Sequence, residues 1–215
     1  MRAAVISAIA LALFSGCVST APHDQLTVFS GGETRTKNAI PAYRLRSYGT
    51  WGAGTLSSGK ADMIFDGLYY HRLAGGKAAP LTASETLSEG WASRFRPDFI
   101  EALPENFDQP ALMARLNKAV PDGAMPCAFR IVGDFADLSV ASPAGNAIVR
   151  NAPGSLYGYR CPWRDGKPRT ELWFLSSDRS AGGRVSGFKL AQGSLAIDLC
   201  PSLLTIAAGG GGISR

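Results

Sequence analysis

The sequence predicts an α+β fold made mostly of antiparallel or mixed β-sheets with few helices. Two observations lead to this prediction: most apolar runs are short and alternate with polar residues, and local turn signals follow closely after them. Strands joined by short turns pair antiparallel, because parallel strands need a longer crossover. The clearest runs are AYRLRSY (42–48), CAFRIV (127–132), FADLSVA (135–141), SLYGYRC (155–161) and SLAIDL (194–199).

Two further segments are predicted to be hairpins. ADMIFDGLYYHRL (61–73) has two strand-like halves around an Asp-Gly dipeptide, which is typical of two-residue hairpin loops. TELWFLSSDRSAGGRV (170–185) joins an alternating strand to a second strand through a polar turn that ends in two glycines. Side chains of a strand repeat with a period of two, so Glu171 and Trp173 are expected on one face.

One helix is predicted between residues 108 and 121. Asp108 can cap its first turn, proline at 110 fits that turn, and Pro121 ends the segment. Its apolar side chains recur at helical spacing, and we expect this stripe to pack against the core rather than to form a binding groove. The stripe consists of Leu112, Met113, Leu116, Ala119 and Val120.

The first twenty residues predict export. One arginine precedes an apolar run over residues 3–14, which is too short to span a bilayer permanently and is typical of a signal peptide. The stretch FSGC resembles the lipobox of bacterial lipoproteins, which implies a signal peptide over residues 1–16 and lipid attachment at Cys17. Valine follows that cysteine instead of the inner-membrane retention aspartate, so we expect an outer-membrane lipoprotein facing the periplasm. A secreted or periplasmic soluble protein is the alternative.

The remaining chain is long enough for one sizeable domain. We expect a lipid-anchored tether over 17–40, a folded domain over 41–200 and a flexible tail over 201–215. Without the signal peptide the chain has 21 basic and 17 acidic residues, a net charge of +4. These charges form no run or stripe, so nucleic acid is not an expected partner, and a mildly basic surface suits solubility near anionic lipid.

Apart from Cys17, the cysteines are Cys127, Cys161 and Cys200. An oxidising compartment allows a disulfide, and the pair Cys161–Cys200 is favoured because both residues end apolar strands near the second hairpin. Three buried free thiols are the alternative. The spacing CxxC does not occur, so neither a thiol redox motif nor a zinc knuckle is predicted.

Five segments resemble, in order, successive blocks of the α-acetolactate decarboxylase family. They are YGTWGAGT (48–55), DGLYYHRLAGGKAAPL (66–81), CAFRIVG (127–133), GSLYGY (154–159) and ELWFLSSDRSAGGRV (171–185). The resemblance runs from residue 42 to about residue 199 and implies the fold of that family. It also implies a reaction, the conversion of acetolactate to acetoin and carbon dioxide at a zinc ion held by three histidines.

All three zinc ligands implied by the resemblance are replaced in this chain. The two histidines on alternate positions of the strand correspond to Glu171 and Trp173, and the third corresponds to Arg184. A tryptophan or arginine side chain offers a metal no lone pair. The chain has only two histidines, His23 and His71, and both are expected at the surface. We therefore expect no zinc and no other cofactor.

Two other family positions bear on the site. Arg130 matches an arginine that would hold the substrate carboxylate. A family glutamate falls at Asp62 or at Ala61, depending on where a one-residue gap is placed. If the pocket persists, Glu171 and Arg184 are expected to face each other where the family holds its ion. The candidate pocket residues are Arg130, Glu171, Trp173, Arg184 and Asp62.

Three functions remain open at this point. The chain is a non-catalytic envelope lipoprotein that binds a small carboxylate or an envelope protein, a working decarboxylase with a remodelled site, or a purely structural surface protein. In the first and third cases Trp173 fills volume left by metal and substrate. The structural alternative is that Glu171 and Arg184 form an exposed ion pair, which would contribute less than about 1 kcal/mol to stability.

Overall fold

The computed structural model describes residues 25–30, 40–120, 125–142, 145–162 and 167–207. In these ranges the chain is mostly strand, with a single α-helix and one short 3₁₀ helix (Ala42–Ser47), which confirms the predicted α+β class. The strands are β1 (Gln25–Ser30), β2 (Ile40–Pro41), β3 (Trp51–Leu56), β4 (Asp62–Asp66), β5 (Tyr69–Ala74), β6 (Lys77–Pro80), β7 (Thr86–Ser93), β8 (Phe99–Leu103), β9 (Phe107–Asp108), β10 (Cys127–Ser142), β11 (Gly145–Pro162), β12 (Pro168–Ser176), β13 (Gly182–Leu199) and β14 (Ser202–Ala207). No helix in these ranges is both long and apolar enough to cross a membrane.

The first sheet has the strand order β14-β1-β7-β3-β4-β5-β6, with β2 added beside β7. Its pairs are antiparallel except for β1 and β14, which run parallel. The hairpin predicted at Asp66 and Gly67 is present as β4–β5, with a positive φ of 64° at Gly67. Glycine favours this conformation because it has no Cβ.

In the second sheet, four long strands close on one another. Pairings join β10 to β11, β11 to β12, β12 to β13, and β13 back to β10. The short strands β8 and β9 pair with β13. The hairpin predicted over residues 170–185 is therefore β12 and the start of β13.

The α-helix, α1 (Gln109–Ala119), packs against the core of the second sheet. The Asp108 carboxylate caps it by accepting a hydrogen bond of 2.9 Å from the backbone N–H of Ala111. Leu112 and Leu116 are fully buried beside Phe129 and other side chains of the second sheet. The helix thus has the packing role that its stripe of apolar residues predicts.

The two sheets face each other across a mixed aromatic and aliphatic layer. The first sheet contributes Leu26, Val28, Trp51, Ala53, Ile64, Leu73 and Trp91, and the second contributes Ala128, Tyr157, Tyr159, Cys161, Trp173, Leu175 and Cys200. On the opposite face of the first sheet, β3 lies close to β7, because a Cβ on Gly54 would lie 2.4 Å from the backbone oxygen of Glu89. A side chain at Gly54 would therefore push β7 away from β3.

The strand predicted over residues 42–48 is wrong, since the chain forms a 3₁₀ helix there. Ala42 and Leu45 are fully buried and Tyr48 packs beside them, a spacing of three residues. That is the period of a 3₁₀ helix, whereas a strand would bury every second residue. Tyr43, which the alternation would group with Leu45, is 49% exposed.

The predicted tether and tail are wrong where β1 and β14 form. These strands pair from Gln25 with Ser202 to Ser30 with Ala207, so the folded domain extends beyond 41–200 at both ends. The pairing joins segments far apart in sequence, for which no hairpin signal exists. Residues 1–24, including the predicted signal peptide and Cys17, lie outside the described residues.

The favoured disulfide is also wrong, because Cys127, Cys161 and Cys200 are buried free thiols. Strand β10 lies between β11, which carries Cys161, and β13, which leads into Cys200. Two strand spacings of about 4.8 Å exceed the Cα separation of about 7 Å beyond which a disulfide cannot form. Burial raises the pKa of the Cys127 thiol to about 12.

Candidate functional site

One row of side chains crosses the second sheet from end to end on the face that meets the first sheet. Arg130 on β10 pairs with Tyr157 on β11, Tyr157 with Trp173 on β12, and Trp173 with Arg184 on β13. Directly paired residues point to the same face of a sheet. An arginine therefore stands at each end of the row, with two aromatic rings between them.

Strand β4 of the first sheet meets both ends of this row. Asp62, Ile64 and Asp66 alternate on it, so they share one face. Asp62 contacts Arg184, and Asp66 lies near Arg130. Two separate clusters of charge result, one at each end of the row.

Arg184 is the centre of the first cluster. Its guanidinium lies 3.3 Å from the Glu171 carboxylate and 3.8 Å from that of Asp62, and it donates a hydrogen bond of 2.8 Å to Thr55 Oγ1. Thr55 in turn donates to Asp62 Oδ1 at 2.9 Å. The side chains of Arg184, Glu171 and Asp62 are 30%, 11% and 4% exposed, so this is a largely desolvated network and not a surface ion pair.

A second arginine extends the network. Arg169 donates to Glu171 from Nε, and it lies 3.0 Å from Glu89 on β7 of the other sheet. The charges therefore alternate from Glu89 through Arg169, Glu171 and Arg184 to Asp62. Three carboxylates face two guanidiniums, leaving one excess negative charge if every group is ionised.

Burial acts on the carboxylates at the two ends of the network. Burial raises the pKa of Asp62, although Arg184 and the hydrogen bond from Thr55 act in the opposite direction. Burial likewise raises the pKa of Glu89, opposed by Arg169. The folded protein therefore holds a proton on this network more readily than free carboxylates would.

Trp173 lies beneath the network. It is fully buried, and its ring centroid is 5.2 Å from that of Trp91 on β7. The Arg184 guanidinium carbon lies 5.2 Å from the Trp173 ring centroid, within the range of a cation–π interaction. The indole therefore fills the space below the charges and helps to hold Arg184 in place.

Arg130 belongs to the second cluster. Its guanidinium donates to Ser155 Oγ at 2.9 Å, stacks on Tyr157 at 5.3 Å from the ring centroid, and lies 4.0 Å from Asp66. Tyr157 donates a hydrogen bond of 2.6 Å to Asp66. The Arg130 and Asp66 side chains are 36% and 39% exposed, so this end of the row is open to solvent.

The histidine on β5 has a structural role. His71 is only 8% exposed, so its predicted surface position is wrong. Burial lowers its pKa, as does the nearby Arg179, while Asp66 raises it. Because the net effect is a lowered pKa, the neutral form of the His71 imidazole is favoured in the layer between the sheets. His23 lies outside the described residues.

The structure brings together four of the five predicted pocket residues: Glu171, Trp173, Arg184 and Asp62. Arg130 lies at the other end of the row and contacts none of these four among the hydrogen bonds and ion pairs of the described residues. Between the two positions proposed for the family glutamate, Asp62 lies on the site face, whereas Ala61 is buried in the cluster on the opposite side of the first sheet.

Sequence reasoning missed Thr55, Glu89, Arg169, Asp66 and Tyr157. Arg169 could have been found, because it shares the period-two face of β12 with Glu171. The sequence indicates only a turn at Asp66. Thr55 and Glu89 had no local signal, since they reach the site only when the first sheet packs on the second.

The donor chemistry at this site does not suit a zinc ion. Zinc needs lone pairs from nitrogen, sulfur or carboxylate oxygen, and the indole and guanidinium provide none. The remaining carboxylates, Glu171 and Asp62, already face the Arg184 guanidinium. A divalent ion between them would have to sit beside a fixed positive charge.

Comparison with known proteins assigns the chain to a family. A family model described as alpha-acetolactate decarboxylase matches residues 32–206. The chain belongs to that family. The assignment made from five sequence segments is therefore confirmed, and the acetolactate-decarboxylase-like fold with it.

Two curated alpha-acetolactate decarboxylases match this family member over most of its length. The protein of Methanosarcina mazei is 26% identical over 180 residues, covering 74% of this chain and 62% of its own length. The protein of Bacillus licheniformis is 22% identical over 167 residues, covering 68% of this chain and 66% of its own. The chain thus spans just under two thirds of the length of these relatives.

Solved structures agree with the fold. An acetolactate decarboxylase from Bacillus subtilis subspecies spizizenii superposes with a TM-score of 0.76 at 17% identity, covering 87% of this chain and 91% of its own. A Staphylococcus aureus protein of unknown function, similar to alpha-acetolactate decarboxylase, superposes with a TM-score of 0.74 at 15% identity. The match covers 85% of this chain and 89% of the other. Identities this low establish the shared architecture alone.

Proposed function

We propose that this chain is an exported lipoprotein on the alpha-acetolactate decarboxylase scaffold, catalytically degenerate, that keeps a site for a small carboxylate at Arg130. One observation carries the proposal: at the three positions that the resemblance assigns to zinc ligands, the Arg184 guanidinium lies beside the Glu171 carboxylate and over the Trp173 ring, and it also contacts Asp62. These residues supply a fixed single charge and no metal coordination.

The loss of activity has a physical reason. Decarboxylation leaves an electron pair on carbon, and a metal bound to the neighbouring oxygen provides several kcal/mol of charge stabilisation in the family reaction. A guanidinium engaged by two carboxylates has little positive potential left for a developing enediolate. Each 1.4 kcal/mol lost is about a tenfold lower rate.

The carboxylate site is supported by the state of Arg130. Its guanidinium is held by Ser155 and stacked on Tyr157, yet it is more than one third exposed and only 4.0 Å from the half-exposed Asp66. A held and accessible guanidinium can form a bidentate pair with a carboxylate. The ligand class is therefore a small organic acid, whose carboxylate would compete with Asp66 for the Arg130 guanidinium.

Metal analysis and an acetoin assay test the loss of activity. The purified chain is incubated with racemic acetolactate, with the Bacillus licheniformis decarboxylase as positive control. We expect zinc well below one per chain and acetoin at the uncatalysed rate. Zinc near one per chain together with acetoin formation would show a working decarboxylase with a remodelled site instead.

A triple variant, Glu171→His with Trp173→His and Arg184→His, tests the role of these three positions. We expect it to bind zinc in equilibrium dialysis while the parent chain does not. If the parent binds zinc as tightly as the triple variant, the metal is held elsewhere and the proposal is wrong.

Carboxylate binding is tested with 2-hydroxy-2-methylpropanoate as the probe, followed by ligand-observed NMR. Arg130→Gln should weaken binding about tenfold or more, because a charge-assisted hydrogen bond contributes about 1.5–3 kcal/mol. Arg115→Gln, on the surface of α1, is the matched control and should leave binding unchanged. Equal binding by all three proteins would remove Arg130 from the site.

Lipid attachment at Cys17 is tested by intact mass of the chain purified from the envelope. We expect a chain that begins at residue 17 and carries a diacylglyceryl group. Cys17→Ser should lose that mass and leave the membrane fraction. A mature chain without added lipid would support the secreted alternative.

A further inference from the structure

The start of β1 determines which end of the domain can lie near an anchored Cys17. Seven residues, 18–24, separate that cysteine from Gln25, where β1 begins. Even at full extension, eight Cα–Cα steps span no more than about 29 Å. A lipid on Cys17 therefore keeps the beginning of β1 within that distance of the bilayer.

The register of the first sheet shows what else lies at that end. Leu26 pairs with Ser93, Ser93 with Trp51, and Trp51 with Asp66. The next positions beyond this row are Gln25 of β1, Arg94 after β7, and the Gly67–Leu68 loop of the β4–β5 hairpin. The loop is fixed there by the hydrogen bond of 2.8 Å from Gly67 N–H to the Thr50 carbonyl.

The second sheet brings its own residues to the same end. The chain after Arg94 is held against the end of β13: Arg96 N–H donates to Asp198 Oδ2 at 3.0 Å, and Asp98 N–H donates to the Ile197 carbonyl at 2.8 Å. Strand β8 therefore begins beside Ile197 near the end of β13, and the chain after β13 leads into β14, whose first residue pairs with Gln25.

Three strongly exposed apolar side chains lie on these segments. Leu68 is 81% exposed, Ile100 is 70% and Phe99 is 52%. Large apolar side chains so exposed at one end of a domain are typical of a surface that contacts a membrane or another molecule. Leu68 lies in the hairpin loop, whereas Phe99 and Ile100 begin β8 on its two opposite faces, and none of the three is part of the buried core.

Arginines accompany them. Arg96 is exposed and Arg94 is half-buried, and neither forms a salt bridge within the part of the chain that the structure describes. The carboxylates of Asp66 and Asp98 accept hydrogen bonds from Tyr157 and, at 2.8 Å, from Leu199 N–H. The two guanidiniums can therefore meet phosphate groups.

We propose that Leu68, Arg94, Arg96, Phe99 and Ile100 form a membrane-contact surface, the basal surface, that takes anionic phospholipid headgroups and orients the domain on the bilayer. The inference rests on the proposed lipid anchor, because the anchor brings this end to the membrane. Apolar side chains beside unpaired arginines fit the boundary between headgroups and acyl chains.

Vesicle binding of the unlipidated protein tests the surface separately from the anchor. Residues 17–215 with Cys17→Ser, which keep every described residue, are sedimented with vesicles of phosphatidylethanolamine and phosphatidylglycerol. Arg94→Gln with Arg96→Gln should reduce partitioning roughly 10- to 30-fold, from about 1 kcal/mol for each arginine near an anionic surface. Leu68→Ser with Ile100→Ser should reduce it further, and binding of the parent should fall as salt rises.

Lys60→Glu and Ile148→Ser are the controls. Lys60 lies in the β3–β4 turn at the opposite end of the first sheet, and Ile148 is an exposed apolar residue on β11. Both controls should bind vesicles like the parent. The proposal is overturned if the parent fails to bind anionic vesicles, if it binds phosphatidylcholine vesicles equally well, or if the controls lose as much binding as the basal-surface variants.

A fluorescent label gives a second measurement. The native thiols are 0–2% exposed, so a polarity-sensitive dye should react selectively with Leu68→Cys or with Lys60→Cys. We expect a blue shift on vesicle addition for the label at 68 and none at 60. Equal shifts would show that binding does not use the basal surface. Intact mass of the envelope form reports the anchor independently, so failure of one idea is distinguishable from failure of the other.

Discussion

Replacing Arg184 by methionine is the most informative perturbation of the network between the sheets. Methionine keeps an unbranched apolar stem over Trp173 but removes the contacts to Glu171 at 3.3 Å, Asp62 at 3.8 Å and Thr55 at 2.8 Å. Two largely buried carboxylates then lose a counter-charge. Removing one partner of a fully buried pair costs about 3–5 kcal/mol, whereas an exposed pair is worth less than about 1 kcal/mol.

The expected loss lies between these limits, because the Arg184 side chain is 30% exposed and Arg169 still faces Glu171. We expect a free energy of unfolding lower by about 2–3 kcal/mol at neutral pH, which is a urea midpoint lower by about 1 M for a domain of this size. The assay is equilibrium unfolding in urea followed by tryptophan fluorescence, since Trp91 and Trp173 report on the layer between the sheets.

The matched control is Arg150→Met. Arg150 forms a pair of the same type with Asp137 at 3.5 Å, but the two side chains are 69% and 62% exposed. Arg150→Met should lower the free energy of unfolding by less than about 1 kcal/mol. If Arg184→Met costs no more than this control, the network behaves as a surface ion pair, and the argument that Arg184 occupies a desolvated site is refuted.

Three further predictions concern the Asp62 carboxyl, the Trp173 indole and the buried thiols. Burial raises the folded-state pKa of Asp62 above its ordinary value of 3.8, so the parent loses stability as pH rises and this carboxyl ionises in the folded state. The free energy of unfolding of Asp62→Asn, measured with urea, should therefore increase relative to that of the parent as pH rises from about 4 to 7. No relative increase across that range would contradict the prediction. Trp173→Ala should leave a cavity between the sheets and lower the free energy of unfolding by about 3–5 kcal/mol in the same assay, and a loss below about 1 kcal/mol would mean that the indole is not close-packed. In the chain that carries Cys17→Ser, the remaining three thiols should resist a thiol reagent in the native state and all react in denaturant, whereas a single reactive thiol after unfolding would reveal a disulfide.

The sequence by itself determined the local features of this protein. Alternation placed Glu171 and Trp173 on one face, Asp-Gly marked the β4–β5 hairpin, and the capping residue Asp108 marked the start of α1. Each depends on residues close together in the chain, whose turn, cap or period-two chemistry acts locally. The sequence also predicted the family, because five short segments resemble blocks of that family and occur in the same order along the chain.

Only the tertiary structure decided the features that join distant segments. The parallel pairing of β1 with β14 and the position of β10 between the strand that carries Cys161 and the strand that leads into Cys200 had no local signal, so the predicted tether, tail and disulfide are wrong there. The same holds for Glu89, which reaches Arg169 from the other sheet. Which carboxylates meet which guanidiniums is set by how one sheet lies across the other, because burial and electrostatic pairing depend on distance in space and not on spacing along the chain.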